Sequence, residues 1–85
     1  MTKRDHALLE FAGFVRTHHS IPPTVREVME LLGLRSESAA HRRLQDLEHA
    51  GYVRHAIDAE AARDLYLTPS GDRRVARLLA DGAAA

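Results

Sequence analysis

The stretch IPPTVREVMELLGLRSESAAHRRLQDLEHAG, residues 21–51, decides the fold, because two helices and the turn between them are written within it. Pro22 and Pro23 cannot continue a helix arriving from upstream, since proline lacks the amide donor and pushes its preceding residue out of helical space. Thr24-Val25-Arg26-Glu27 has the form of a capping box, in which the threonine hydroxyl and the glutamate satisfy each other's orphan backbone donors. Val25, Val28, Met29 and Leu32 then fall at i, i+3, i+4 and i+7, which predicts a helix over 25–32 that Gly33 ends in the left-handed conformation. Leu34-Arg35 leads to Ser36, a natural N-cap, and a second periodic run reaches Ala50 before Gly51 stops it. The prediction is a helix over 37–50. Two helices joined by Gly33-Leu34-Arg35 make a helix-turn-helix pattern.

Upstream, Thr2 caps a helix over 3–19 with Asp5 in its first turn, and Leu8, Phe11, Ala12 and Val15 form its apolar face. His18 and His19 close it, leaving 20–23 as a loop. Downstream, Tyr52 to Ile57 and Leu65 to Thr68 are rich in strand-forming residues and flank a tip at 58–63, which predicts an antiparallel wing over 52–68. Ala59 to Ala62 would also suit a helical turn. Thr68-Pro69 reads as an N-cap followed by proline at the first helical position, opening a last helix over 69–81 with Val75, Leu78 and Leu79 on one side. Gly82 is expected to stop it and Ala83 to Ala85 to fray. The fold class expected is mainly α with a small β-hairpin, hence α+β: a winged helix-turn-helix of three helices, a two-stranded wing and an extra C-terminal helix.

Composition bounds what such a domain can do. A chain of 85 residues, 45% hydrophobic, has room for one domain, expected over 1–85, and for no large enzyme. The absence of cysteine excludes disulfide staples, thiolate zinc fingers and a cysteine nucleophile. No apolar run approaches the roughly 20 residues of a membrane span, and charge interrupts the N-terminus, so a soluble, cytoplasmic chain is expected, nucleoid-associated when bound to DNA. Twelve basic and twelve acidic side chains cancel, with six histidines outside that sum. No global positive field advertises nucleic acid, and the local placement of charge must decide.

On a helical wheel of the segment 37–50, Ala40, Leu44 and Leu47 form one buried stripe. Opposite lie Ser38, Arg42, Gln45 and His49, with His41 and Asp46 on the shoulders and Ala39 on the other flank. Many polar helix faces meet only water. In a helix-turn-helix, however, the second helix enters the DNA major groove, which makes Ser38, Ala39, His41, Arg42 and Gln45 the positions able to read bases. Arg42 is the strongest reader, since a guanidinium can bridge both acceptors of a guanine, and Ala39 suits a thymine methyl. In the wing, Arg54, His55 and Arg63 are expected to touch phosphates beside the groove.

Ile21-Pro22-Pro23-Thr24, Leu32-Gly33-Leu34-Arg35-Ser36, Ala39-Ala40, Leu44, Leu47, Glu48 and Gly51-Tyr52-Val53 together resemble the N-terminal DNA-binding domain of the LexA repressors. The resemblance covers about residues 7 to 67 and implies a winged helix-turn-helix that binds operator DNA. By matching positions it places Ser36, Ser38, Ala39, His41 and Arg42 at operator contacts, and Arg35 stands beside them. This chain departs from the family pattern at Ser38, where asparagine is common, and at His41 and Arg42, where acidic residues are frequent, so a different operator is expected. The family's self-cleaving second domain has no counterpart in these residues, and the only lysine is Lys3. Damage-triggered cleavage is therefore not carried over.

Leu67-Thr68-Pro69-Ser70-Gly71 resembles the strand-to-helix junction of the MarR and PadR winged-helix regulators, whose terminal helices often dimerise. Val75, Leu78 and Leu79 are accordingly expected either to pair across a two-fold axis, in a homodimer on an inverted repeat, or to complete the monomer core. Catalysis finds no paired titrating groups in the sequence, and neither metal, cofactor nor small-molecule ligand is expected: His41 and His49 lie two helical turns apart, and His18 and His19 point in different directions. Two readings stay open: a sequence-specific, double-stranded DNA-binding regulator, or a winged-helix interaction module that docks another regulator through acidic residues such as Asp46, Glu48, Asp58, Glu60 and Asp64.

Overall fold

The computed structural model describes residues 1–56 and 64–84; the predicted wing tip and Arg63 lie outside them. The element order is α1 (Lys3–Thr17), α2 (Val25–Leu31), α3 (Glu37–His49), β1 (Val53–His55), β2 (Leu65–Leu67) and α4 (Pro69–Ala84). This is the α+β winged helix-turn-helix that the residue pattern predicts, with α2 and α3 packed together and α1 and α4 behind them.

Each helix starts where its cap directs. The Thr2 hydroxyl accepts from the Asp5 amide at 3.0 Å. In the capping box of α2, the Thr24 amide donates to Glu27 Oε1 at 2.8 Å and the Glu27 amide donates to the Thr24 hydroxyl at 3.2 Å. Ser36 caps α3 by accepting from the Ala39 amide at 3.2 Å. At the C-terminus of α3 the Gly51 amide donates to Glu48 O and the Tyr52 amide to Leu47 O, both at 2.9 Å, with Gly51 at φ 80°. This is a Schellman closure, and it turns the chain directly from the recognition helix into the wing. Gly33, at φ 64°, closes α2 in the same way.

Helices α2 and α3 end one residue before the predicted 32 and 50, and two helix ends differ by more. Helix α1 ends at Thr17, not at 19, because His18 leaves helical geometry at φ −116° and His19 and Ser20 both take positive φ, 56° and 67°. The His18 ring stacks on Phe14 at 3.7 Å, and its Nδ1 meets the Phe14 carbonyl at 2.8 Å, so the side chain folds back over the last helical turn. Helix α4 runs through Gly82 to Ala84. A glycine inside a helix costs only about 0.5–1 kcal/mol relative to alanine, and Gly82 does not adopt the left-handed turn that would end it.

The core joins every element: Leu8 and Phe11 of α1, Val28 of α2, Ala40, Leu44 and Leu47 of α3, Val53 and Leu65 of the wing, and Val75 of α4. Full burial of each large aliphatic or aromatic side chain among them stabilises by about 1.5–3 kcal/mol. The ribbon is antiparallel, with Val53 opposite Leu67, Arg54 opposite Tyr66 and His55 opposite Leu65. Strand alternation therefore turns Val53, His55 and Leu65 toward the helices and Arg54 and Tyr66 away from them.

Between wing and α4, the Thr68 hydroxyl donates to the Gly51 carbonyl and accepts from the Gly71 amide at 3.0 Å. Gly71 lies so close to the Tyr52 backbone that a Cβ there would collide with its carbonyl oxygen. The predicted Thr68-Pro69 start of α4 is thus also the point where that helix is fastened to the end of α3.

Candidate nucleic-acid interface

Helix α3 has its rotation about its own axis set by burial. Ala40, Leu44 and Leu47 are 0%, 5% and 0% exposed, so the opposite stripe must face outward. Ser38, Arg42, Gln45 and His49 are all exposed there, with His41 and Asp46 exposed on its flanks and Ala39 half-buried. Among the described residues none forms an ion pair or side-chain hydrogen bond with Ser38, His41, Arg42 or Gln45. Among the described residues, the predicted reading surface is an exposed row of donors and acceptors along α3.

Arg35 is exposed in the turn just before this helix. Ser36 is exposed too, but its hydroxyl oxygen is engaged by the Ala39 amide, so the residue anchors the helix start whatever else its proton meets. The structure thus gathers Arg35, Ser36, Ser38, Ala39, His41, Arg42 and Gln45 on one helix and its entry turn.

The three wing residues expected at phosphates have different surroundings. Arg54 projects from the outer face of the ribbon, opposite Tyr66 and beside Ser70 and Arg73. Arg63 lies outside the described residues. His55, expected to touch phosphates, is exposed and already paired with two carboxylates: its Nδ1 lies 2.8 Å from Asp64 Oδ2 and its Nε2 3.3 Å from Glu48 Oε2. The hydrogen bond with Asp64 raises the imidazole pKa above its ordinary value, desolvation opposes this, and the charges of Asp64 and Glu48 add to the rise. Sequence reading missed this cluster, although the signal was present: His55 lies two residues after inward-facing Val53, on the same side of the strand.

Below His55, a cleft of about 520 Å³ opens between the start of α2, the wing base and the flank of α3. Glu37, His41 and Glu48 line its α3 side, and Pro23, Leu44 and Leu65 are among its apolar walls. Among the described residues no three His, Asp or Glu side chains gather where an ion would sit, and no helix is long and apolar enough to cross a membrane.

The three residues expected at a dimer contact separate. Val75 is 6% exposed and belongs to the monomer core, so it is not free to pair with another copy. Leu78 packs partly against that core, and only Leu79, 48% exposed, faces outward.

Comparison with known proteins agrees with this geometry. A family model described as the LexA DNA binding domain matches residues 1–64. A LexA repressor of Desulfatibacillum aliphaticivorans is 32% identical over 71 residues, covering 84% of this chain and 35% of that protein. One from Pelotomaculum thermopropionicum is 33% identical over 73 residues, covering 86% of this chain and 36% of its own length. The chain therefore spans about a third of the length of the curated relatives it matches. Among solved structures, the crystal structure of an S. aureus MepR–DNA complex superposes with a TM-score of 0.70 at 22% identity, over 99% of this chain and 58% of that one, which shows a shared fold. With its capping box, its glycine-closed turn and its matched first 64 residues, the chain belongs to the LexA DNA-binding domain family.

Proposed function

We propose that this chain is the DNA-reading domain of a transcriptional regulator, which binds double-stranded operator DNA by laying α3 in the major groove and represses by occupying a promoter. The observation that carries this is the outward stripe of α3, turned outward by the buried stripe behind it and, among the described residues, without partners of its own. Arg42 reads guanine through both its O6 and N7, while Ser38, His41 and Gln45 make single hydrogen bonds and Ala39 offers a methyl-sized contact. Arg35 at the helix entry and Arg54 on the outer face of the ribbon supply phosphate contacts, which fix register without carrying sequence information. The role is binding, with no catalytic step.

The alternative of a protein-docking module drew on acidic residues of the third helix and wing. Two of these, Glu48 and Asp64, are already paired with His55, which weakens that reading. We extend the DNA reading to two copies on an inverted repeat, because one neutral domain neutralises few phosphates. Of Val75, Leu78 and Leu79, Leu79 is the one exposed to join them.

The test is selection of bound duplexes from a random pool, followed by titration of the enriched site against salt. An enriched motif whose affinity falls steeply with salt is the expected result. A pool with no enriched motif would falsify sequence reading.

A further inference from the structure

His55 stands at the only described point where a wing side chain makes an ion pair with the recognition helix. Its ring reaches two elements at once, Asp64 at the start of the returning strand and Glu48 in the last turn and a half of α3. Neutral imidazole donates from one nitrogen and presents a lone pair at the other; only imidazolium donates from both. Both carboxylates are satisfied together, then, only while His55 carries a proton. We propose that the His55 imidazolium, gripping Glu48 and Asp64, clamps the wing against the recognition helix and makes operator affinity depend on pH.

Loss of the proton releases one grip in particular. The Asp64 contact is the shorter, 2.8 Å against 3.3 Å, and the Asp64 side chain is 21% exposed against 43% for Glu48. The remaining hydrogen therefore stays on Nδ1, facing Asp64, and the Nε2 lone pair is left against the Glu48 carboxylate. The tie inside the wing survives, while the tie between wing and helix turns repulsive. One positive charge is also lost beside the surface that meets phosphates. Both changes weaken DNA binding as pH rises, and the proton is returned by solvent as pH falls.

Among the described residues, the other charged groups facing this cleft are Glu37 and His41 of α3 and Arg26 of α2. Arg26 lies 3.9 Å from Glu30 on its own helix. Glu37 adds negative charge to the cleft and so favours the protonated ring. His41 is a second imidazole lining the cleft, on the DNA-reading helix, so its contribution is separated by its own variant.

This inference rests on the DNA-binding reading. The experiment measures affinity for the selected operator from about pH 6 to about pH 8.5, in the unsubstituted chain and in His55→Gln, Glu48→Gln and His41→Gln, with imidazole NMR titration of His55 in parallel. The unsubstituted chain should lose about twofold to fivefold more affinity over that range than His55→Gln, the scale of an exposed ion pair. His41→Gln should keep that difference. In the NMR arm, His55 should hold its proton to higher pH than a free histidine, and Glu48→Gln should bring its titration down. A His55→Gln chain with the unsubstituted pH dependence, or a His55 titration that ignores Glu48→Gln, overturns the clamp. Absence of operator binding at every pH sinks the DNA reading and the clamp with it, an outcome distinct from pH-independent binding, which sinks the clamp alone.

Discussion

The Asp5 carboxylate receives both arms of the Arg74 guanidinium, Nε to Oδ1 at 3.3 Å and Nη2 to Oδ2 at 3.0 Å, and so ties the first turn of α1 to α4 across 69 positions of sequence. Asp5 is 4% exposed, and the Arg74 hydrogen bond is the leading cause that holds its pKa below the ordinary carboxylate value, against an opposing contribution from burial. A pKa depressed on folding contributes stability that is present above the unfolded value and is lost as pH falls through the folded one. Asp5→Asn should therefore lower the melting temperature by several degrees at neutral pH. The gap to the unsubstituted chain should shrink in melts taken below the ordinary aspartate range, and a gap that widens in acid would contradict the pairing.

Gly71 and Gly13 make opposite predictions for the same substitution. A Cβ on Gly71 would meet the Tyr52 carbonyl oxygen, which already accepts the Thr68 amide at 3.0 Å, whereas a Cβ on Gly13 meets nothing within 4 Å. Gly71→Ala should cost about 1–3 kcal/mol by overpacking. Gly13→Ala, inside α1, should stabilise by up to about 1 kcal/mol through helix propensity. Urea unfolding of both variants checks the pair, and equal signs would show that the α4 junction is looser than its geometry implies.

The helix-turn-helix was legible because its signals are local: a capping box, two left-handed glycines and two apolar periods all act within a few residues of each other. The reading stripe of α3 followed from the same periodicity, since fixing Ala40, Leu44 and Leu47 inward fixes Arg42 outward. What stayed hidden depends on tertiary approach. Asp5 looked like an ordinary first-turn carboxylate until Arg74 arrived from the far end of the chain. Gly71 carried no local reason to be glycine, because Tyr52 supplies the reason from another element. Val75 showed the limit of a one-dimensional wheel: its face of α4 was clear, but whether α1 or a second copy covered it was not.

Arg42 and Arg54 should differ in kind when truncated. Arg42 stands on the exposed reading stripe, so Arg42→Ala should cost about 1–3 kcal/mol of discrimination at the base it bridges, with a smaller loss for unrelated sequences. Arg54 projects from the outer face of the ribbon and is proposed to meet phosphates, so Arg54→Ala should weaken all duplexes similarly and reduce the salt slope by about 1. Competition binding with single-base variants of the selected operator, at two salt concentrations, separates the two. Uniform loss from Arg42→Ala would remove it as a reader.

Leu79 is the remaining test of two copies acting together. It is 48% exposed beside a shallow groove of about 370 Å³, whose walls include Val15, Leu67 and Ala76, and whose rim carries Arg16 and Asp72. A two-fold axis would let the Leu79 side chains cover each other's grooves while Arg16 of one copy faces Asp72 of the other, the reciprocal contact that an isologous interface requires. Leu79→Asp should therefore abolish cooperative loading on a duplex with two inverted half-sites and leave affinity for a single half-site nearly unchanged. Sedimentation of the two protein–DNA mixtures reads the difference directly. Cooperativity that survives Leu79→Asp would take the contact away from α4 and leave DNA bending or the operator spacing to couple the copies.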